Sequence, residues 1–207
     1  MISYAILTHN EGEYIERLLQ QLDTLRDKNS SEIVVVDDYS SDPLTRAILE
    51  EWEAMEAVRL FRRELGGDFA AQKNYLVECC RGDVIFQIDA DELAPEALVR
   101  NLREIVDANP HVDVFLVPRI NRVEGLEPHH AAKWGWKVDE GGLVNWPDYQ
   151  WRIFRNHKGI RYANRVHERL VGFDKYSLLP KSEEWALIHD KEIGRQEAQN
   201  AFYDTLI

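Results

Sequence analysis

The sequence has only two cysteines and no long apolar run. Cys79 and Cys80 are adjacent and cannot easily bridge each other, which argues against a disulfide framework and favours a reduced, cytoplasmic setting. No stretch approaches the roughly 18–20 apolar residues that a membrane span requires, so we expect no transmembrane segment. The first residues lack the basic start and the cleavage site of a signal peptide. We therefore expect a cytoplasmic protein, with peripheral association with a membrane left open.

Positive charge is also scarce. The chain has 25 Lys and Arg against 37 Asp and Glu, which gives a formal net charge of -12. A nucleic-acid backbone needs a basic face, so we expect no nucleic-acid partner. One nucleotide phosphate bound through a divalent metal is still compatible with this charge, because the metal reverses the local sign.

The chain also lacks the motifs of three other enzyme classes. The stretch "THNEGEY" after the first apolar segment is neither the G-x-G-x-x-G turn of a dinucleotide-dependent oxidoreductase nor the basic, glycine-rich loop of a nucleotidyltransferase. A phosphatase with an aspartate nucleophile usually carries Asp-x-Asp after its first strand, whereas here this motif follows the fourth. We set these classes aside.

What is present is an alternation of apolar strands and amphipathic helices over residues 2–119. The apolar spacing predicts strands over 2–8, 32–38, 57–63, 83–89 and 112–119, with helices over 10–26, 40–55, 68–80 and 94–110. Most of the strands are apolar throughout, which is typical of a parallel sheet covered by helices on both faces. The sequence therefore predicts an α/β fold with a mainly parallel central sheet.

The alternation stops near Arg119. Residues 120–147 are rich in Gly, His, Trp and charge and predict a long loop or a short excursion over the sheet. Strands are predicted again over 149–156 and 183–189, and a helix over 190–207. No linker or repeat divides the chain, so we predict one domain, 1–207, with a front half (1–119) and a more irregular back half (120–207).

Polar and acidic side chains follow three of the predicted strands. Thr8, Asn10 and Glu11 follow the first, Asp37 and Asp38 the second, and Asp89, Asp91 and Glu92 the fourth. Ligands of open α/β sheets bind at the carboxyl ends of the strands. A separate explanation of each cluster is possible, but one nucleotide and metal site explains all three.

The Asp89-Ala90-Asp91 motif places two carboxylates two residues apart on extended chain. Oxygen ligands in this spacing suit Mg²⁺ or Mn²⁺, and such an ion could bridge the phosphates of a nucleoside diphosphate. The alternative is a solvated acidic loop at the start of a helix, where carboxylates favour the dipole. The buried strand before the motif favours the functional interpretation.

Asp37 and Asp38 end a run of Ile33 and three valines. One of them could accept from a pyrimidine N–H or a ribose hydroxyl; the alternative is a cap for the next helix. Ser41 or Asp42 is better placed for capping, which leaves the pair without an evident structural role.

Five segments occur in this order along the chain: "AILTHNEGEYIERLL", "IVVVDDYSSDPLT", "QKNYLVECCRGDVIFQIDADE", "YQWRIFRN" and "NRVHERL". Together they resemble glycosyltransferase family 2, of the GT-A fold, and in particular small bacterial enzymes that build lipopolysaccharide core and related glycans. The resemblance covers residues 2 to about 203. The chain departs from the family in "DDYSSD", where Gly or Asn often follows the Asp pair.

The resemblance implies a metal-dependent, inverting transfer of a sugar from a nucleoside diphosphate sugar, with UDP favoured, to a glycan, lipid-linked or small hydroxyl acceptor. The front half would bind the donor, and the back half would bind the acceptor and carry out catalysis. The residues implied as donor contacts are Thr8, Asn10, Glu11, Asp37 or Asp38, Lys73, Asn74, Asp89 and Ala90.

The resemblance also implies the metal ligands and the base. Asp89 and Asp91 correspond to the metal motif, with His189 as a further ligand and His167 as its rival, for Mn²⁺ or Mg²⁺. An inverting transfer needs a general base for the acceptor hydroxyl. Glu168 is favoured for this role over Asp148, although either acid could instead pair with a neighbouring arginine. A degenerate nucleotide- or sugar-binding domain of the same fold is the alternative function.

Overall fold

The computed structural model describes residues 1–157 and 159–204. Its strands are β1 (Ile2–Thr8), β2 (Ser31–Asp37), β3 (Arg59–Arg62), β4 (Val84–Asp89), β5 (Val114–Val117), β6 (Arg119–Glu124), β7 (Gln150–Arg155), β8 (Arg161–Ala163), β9 (Arg169–Val171), β10 (Tyr176–Leu178) and β11 (Leu187–Glu192). Its α-helices are α1 (Glu13–Leu25), α2 (Pro43–Ala54), α3 (Phe69–Cys79), α4 (Glu96–Ala108), α5 (Pro128–Trp134) and α6 (Ile193–Asp204). The elements predicted for the front half are confirmed, with boundaries shifted by a few residues.

A seven-stranded sheet forms the centre, in the order β10-β5-β7-β4-β1-β2-β3. Its pairs are parallel except where β7 joins β4 and β5. Two smaller sheets flank it: β6 pairs with β11 in parallel, and β8 pairs with β9 antiparallel. The predicted α/β fold with a mainly parallel sheet is confirmed.

Successive residues of each strand point to opposite faces of the sheet, so the apolar strands bury both faces. On one face, Tyr4 and Ile6 of β1 belong to the same apolar cluster as the buried sides of α1, α2 and α4. On the other face, Ala5 of β1 clusters with Leu76 of α3 and Tyr162 of β8. Helices therefore cover both faces, as predicted.

Local signals place the helix that follows β2. The Asp42 carboxylate accepts from the Thr45 backbone N–H at 2.8 Å, and Pro43 is the first helical residue. A proline fits this position because the first helical N–H has no partner within the helix. The prediction that Ser41 or Asp42 caps this helix is confirmed for Asp42.

The predictions for the back half were less accurate. Within residues 120–147, predicted as a loop or short excursion, β6 continues to Glu124 and α5 follows at Pro128–Trp134. The predicted strand 183–189 is instead a 3-10 turn (Glu183–Trp185) followed by β11. The predicted helix 190–207 begins at Ile193; positions 205–207 lie outside the described residues.

The reason for these differences is that β6 and β11 pair with each other outside the main sheet. The inward positions of β11 are Leu187, His189 and Lys191, all buried. Two of these three buried residues are polar, so this strand does not show the alternation of apolar and polar residues by which a half-buried strand is recognised. β8, β9 and β10 are three residues each, too short for a periodic signal.

The two halves share apolar contacts. Ile153 of β7 and Leu187 of β11 belong to the cluster that contains β1 and α4. Among the described residues, no helix is both long and apolar enough to cross a bilayer.

Candidate active site

A cavity of about 550 Å³ lies at the carboxyl ends of β1, β2 and β4. Thr8 is in register with Asp37, and Leu7 with Asp89, so the three strands end at the same level. The opposite wall comes from β6, β7, β11 and α6 of the back half. This is the edge of the sheet where the sequence predicted a ligand site.

The structure brings ten of the thirteen predicted site residues to this cavity. They are Thr8, Glu11, Asp38, Lys73, Asp89, Ala90, Asp91, Asp148, Glu168 and His189. His167, the rival of His189, also lines it.

Asn10 and Asp37 do not line the cavity, because their side chains build the turn beneath it. The side-chain Oδ1 of Asn10 accepts from the backbone N–H groups of Ser41 and Asp42, at 2.8 Å each. The Asp37 carboxylate accepts from the backbone N–H of Ser40 at 3.1 Å and from its hydroxyl at 2.5 Å. Contrary to the expectation that the Asp pair lacks a structural role, Asp37 has one; Asp38 is the member of the pair that faces the cavity.

Asn74 is the third predicted residue away from the cavity wall. It lies on α3 and binds the backbone of Tyr162 in β8, accepting from its N–H at 2.8 Å and donating to its C=O at 2.9 Å. The side-chain amide of Asn74 thus makes the same two hydrogen bonds to β8 as a neighbouring strand would, and it connects α3 of the front half to the back half.

Asp89 takes part in a buried charge cluster. Its carboxylate accepts from Arg152 at 2.5 Å and from the Gln87 amide at 2.9 Å. Arg152 also donates to Glu92 at 2.6 Å, and the Glu92 carboxylate accepts from the Asp89 backbone N–H at 3.0 Å. Burial raises the pKa of Asp89, but the charges of Arg152 and Lys73 and the hydrogen bonds from Arg152 and Gln87 together outweigh it and hold this pKa well below its usual value. Asp89 is therefore an anion fixed towards β7.

The same cluster reaches Asp148 through Arg119. Arg119 donates to Glu92 at 2.9 Å and binds Asp148 Oδ2 with Nε at 3.0 Å and Nη2 at 2.7 Å. Asn121 donates to this oxygen at 2.7 Å, and Gln150 to the other oxygen at 2.9 Å. Burial opposes the charged form, yet Arg119 and these donors lower the pKa of Asp148. A carboxylate with four donors is a weak proton acceptor.

Among the predicted metal ligands, Asp91 and His189 are in contact with each other. His189 Nε2 is 3.3 Å from Asp91 Oδ2, and its Nδ1 is 2.8 Å from the side-chain Oδ1 of Asn121. A proton on Nδ1 donates to the Asn121 side chain and leaves Nε2 facing Asp91, the orientation in which a metal ion can replace the Nε2 proton between the two residues. Burial raises the pKa of Asp91, but His189 and Lys191 lower it further than burial raises it.

Within residues 1–157 and 159–204, no group of three or more His, Cys, Asp or Glu side chains is arranged to hold a metal ion. Of the three predicted ligands, Asp91 and His189 lie together, whereas Asp89 is paired with Arg152. Mg²⁺ is usually held by one or two carboxylates together with substrate phosphates rather than by a complete protein cage. The pair of Asp91 and His189 fits such a partial set.

Lys73 and Glu168 form an ion pair at 2.5 Å across the cavity, with both side chains mostly buried. The Lys73 ammonium also lies 5.2 Å from the ring centre of Tyr162. Glu168 is thus less constrained than Asp148, because its only ion pair is to a flexible lysine among the contacts of the described residues.

Several cavity residues were not predicted from the sequence. They are Arg119 and Asn121 on β6, Gln150 and Arg152 on β7, Lys191 on β11, and Arg195, Gln199 and Tyr203 on α6. The sequence signal for these residues is their spacing. Polar residues two apart on a strand, or four apart on a helix, lie on the same face of that element. That signal becomes readable only once the strands and their partners are known.

Arg195 closes the cavity from α6. It contacts the Glu11 carboxylate and lies 3.4 Å from Asp91 Oδ2, with its guanidinium 4.5 Å from the Tyr14 ring centre. Burial raises the pKa of Glu11, and the Arg195 contact only partly offsets this.

Comparison with known proteins identifies the family and the fold. The family model for "Glycosyl transferase family 2" matches residues 3–177. The structure of S. aureus TarS residues 1–349 in complex with UDP-GlcNAc superimposes with a TM-score of 0.66 at 19% identity, over 92% of this chain and 58% of that one. The same protein in complex with UDP gives a TM-score of 0.65 at 17% identity, over 91% of this chain and 60% of that one. At these identities the likeness establishes the fold.

Curated relatives match a shorter stretch. The lipopolysaccharide core biosynthesis glycosyltransferase LpsC of Rhizobium meliloti is 30% identical over 118 residues, 57% of this chain and 42% of that protein. A glycosyltransferase of Rickettsia bellii is 33% identical over 119 residues, 58% of this chain and 37% of that protein. The matched regions thus span less than half the length of these relatives. Because the family model covers most of the chain, the protein belongs to glycosyl transferase family 2.

Proposed function

We propose that this protein transfers a sugar from a nucleoside diphosphate sugar, with UDP favoured, to a hydroxyl group of a glycan, a lipid-linked or a small acceptor. The observation that carries the proposal is the grouping of Asp38, Asp89 and Asp91 at one edge of the parallel sheet, around a cavity of about 550 Å³. A volume of this size accommodates a ligand as large as a nucleotide sugar. The UDP-sugar and UDP complexes of TarS support the choice of nucleotide.

The charges of the cavity support a divalent cation as cofactor. Six carboxylates line it (Glu11, Asp38, Asp89, Asp91, Asp148 and Glu168), together with five cationic side chains (Lys73, Arg119, Arg152, Lys191 and Arg195). Six negative and five positive charges leave a net charge of -1, which opposes the entry of a diphosphate. A divalent ion reverses that balance.

Asp91 and His189 would hold Mn²⁺ or Mg²⁺ in this proposal, with Asp89 as the neighbouring anion. The ion, when bound, neutralises charge that develops on the leaving diphosphate. Thr8, Glu11 and Asp38 would contact the nucleoside, and Lys73 and Ala90 the rest of the donor. Asn10, Asp37 and Asn74 would support these residues through the bonds described above.

The transfer is proposed to be a single, inverting displacement. The acceptor hydroxyl oxygen attacks the anomeric carbon, its bond to the diphosphate breaks, and the hydroxyl proton passes to a carboxylate. Glu168 is the proposed base, because Asp148 is saturated by Arg119, Asn121 and Gln150. When the donor binds, Lys73 would contact the donor instead of Glu168, and the Glu168 carboxylate would then be free to accept the proton of the acceptor hydroxyl.

The test combines binding and turnover. Calorimetry with UDP is expected to show much tighter binding with Mn²⁺ than with excess chelator. Transfer or slow donor hydrolysis from a panel of UDP-sugars is expected to release UDP only with the metal, and Asp91→Asn is expected to lose most of it while remaining folded. Full activity in chelator would refute the metal role. Tight UDP binding without turnover on any sugar would favour the alternative, a degenerate binding domain.

A further inference from the structure

The side chain of Arg195 occupies a specific position between the two ends of the proposed donor site. Its Nη2 contacts Glu11, which follows β1, and lies 3.4 Å from Asp91, which follows β4. The proposed nucleoside contacts lie at the β1 and β2 ends, and the proposed metal pair lies at the β4 end. A diphosphate that joins a nucleoside to the metal has to pass between them, where the Arg195 guanidinium lies.

The contacts of Arg195 leave it able to bind a further anion. A guanidinium has five N–H donors in a planar fork, more than two carboxylate contacts use. The side chain is 30% exposed and lines the cavity. The guanidinium also lies over the Tyr14 ring, 4.5 Å from its centre, a cation–π contact that holds the group in the cavity without a hydrogen-bond acceptor.

A second cation near Asp91 comes from β11 and is held by a residue of α6. Lys191 Nζ lies 3.6 Å from Asp91 and donates to Gln199 at 2.6 Å. Gln199 follows Arg195 by one helical turn, so both face the cavity. Asp91 is therefore flanked by two cations whose positions are fixed by the first turns of α6.

We propose that Arg195 binds the diphosphate of the donor, exchanging the Glu11 carboxylate for phosphate oxygens. This rests on the proposed function and adds a specificity-determining residue that none of the sequence motifs contains. Phosphate is a favourable exchange partner, since its oxygens match the guanidinium fork in two parallel hydrogen bonds. Arg195 would thereby select diphosphate-bearing ligands over the nucleoside alone.

The experiment separates recognition of phosphate from support of the fold. Wild type and Arg195→Gln are titrated by calorimetry with UDP and with uridine, both in Mn²⁺. Loss of a charge-assisted contact predicts about a 10- to 100-fold weaker UDP affinity, with uridine affinity unchanged. Arg195→Lys keeps the charge without the fork and is expected to recover part of the loss. Arg100→Gln is the matched control, because it breaks an exposed helix ion pair with Glu96; it is expected to bind both ligands as wild type does.

Two results would refute the role of Arg195 and leave the proposed function standing. One is an equal UDP affinity in Arg195→Gln and wild type, and the other is a loss of uridine affinity as large as the loss of UDP affinity. The second result would mean that Arg195 only holds α6 in place. Absence of UDP binding by wild type in Mn²⁺ would instead refute the proposed function, and the inference with it.

Discussion

The two halves of the molecule contribute opposite charges to the same cavity. Four of its six carboxylates, on Glu11, Asp38, Asp89 and Asp91, come from the front half. Three of its five cations, on Arg152, Lys191 and Arg195, come from the back half, and Arg119 lies at the boundary as the last residue of the front half. The front acids follow buried parallel strands whose position the main chain fixes. The back cations are positioned largely by pairing with those acids, so the geometry of the site depends on ion pairs across the cavity.

The largest expected effect tests which of two carboxylates in the back half is the base. Glu168→Gln retains the shape of the side chain and removes its basicity. General-base assistance is typically worth about 10²–10⁴-fold in rate, so we expect a loss of that size in turnover. UDP affinity in Mn²⁺ should change little, because the proposed donor contacts lie on other residues. Steady-state transfer rates measured beside calorimetry separate these two quantities.

Asp148→Asn is the comparison variant for Glu168→Gln. Since Asp148 already accepts four hydrogen bonds, its loss should slow turnover less than that of Glu168 does. If Asp148→Asn is inactive while Glu168→Gln turns over normally, the assignment of the base is reversed. If both variants are active, the base lies elsewhere in the cavity.

The next effect concerns Glu92, which joins the halves at the centre of the buried charge cluster. Its side chain is fully buried and binds Arg119 at 2.9 Å and Arg152 at 2.6 Å. Glu92→Gln leaves two guanidinium groups short of a buried counter-charge. Removing one partner of a buried ion pair typically costs about 3–5 kcal/mol of unfolding free energy, and we expect a loss in that range by denaturant titration.

Glu96→Gln is the matched control for Glu92→Gln. Glu96 lies four residues away, pairs with Arg100 at 2.6 Å and is 65% exposed. The same acid-to-amide change there should alter the unfolding free energy by less than about 1 kcal/mol. Equal losses in the two variants would show that the buried cluster adds no more stability than a surface pair.

The same contrast explains what could be predicted from the sequence. Three of the front strands are apolar runs, such as Ile33–Val36, that are followed by acidic residues, so both the strand and its ligand-facing end can be recognised in the sequence. In the back half, β11 presents His189 and Lys191 inwards, and α6 presents Arg195 and Gln199. These side chains face the cavity only because β11 pairs with β6, a contact between distant segments that local periodicity does not encode.

Placement of individual side chains was harder to predict than placement of the clusters. Asp37 and Asp38 are adjacent, yet one binds Ser40 and the other lines the cavity, since successive residues leave a strand in opposite directions. Lys73 and Asn74 are adjacent on α3, where successive side chains also point in different directions: Lys73 lines the cavity, and Asn74 binds the Tyr162 backbone. The family membership and the fold predicted from the sequence are confirmed, whereas the roles of the site residues stay predictions.

Acidic pH should lower the free energy of unfolding, because it protonates Asp148. Its pKa is lowered in the folded protein, so its contribution to stability is fully present above the ordinary Asp pKa of about 3.9. That contribution is lost as pH falls from there through the lowered folded value. At neutral pH we expect Asp148→Asn to be about 1.5–3 kcal/mol less stable than wild type, as for hydrogen bonds to a charged group. Unfolding titrations should show this gap closing below about pH 4; a gap independent of pH would show that the Asp148 charge adds no stability.

The smallest effect tests a neutral contact between the halves. Asn74→Ala removes both hydrogen bonds to the Tyr162 backbone, at 2.8 and 2.9 Å, and should cost about 1–2 kcal/mol of unfolding free energy. UDP affinity of the folded variant should be nearly that of wild type, because Asn74 does not line the cavity. Asn101→Ala is the control: among the residues that the structure describes, its exposed amide donates to the Ala97 carbonyl of its own helix, so stability should hold or rise slightly. If Asn74→Ala instead keeps its stability and loses UDP affinity about tenfold, roughly 1.4 kcal/mol of binding, then Asn74 contacts the donor directly. That result would favour the role implied by the sequence motif over the one implied by the position of the side chain.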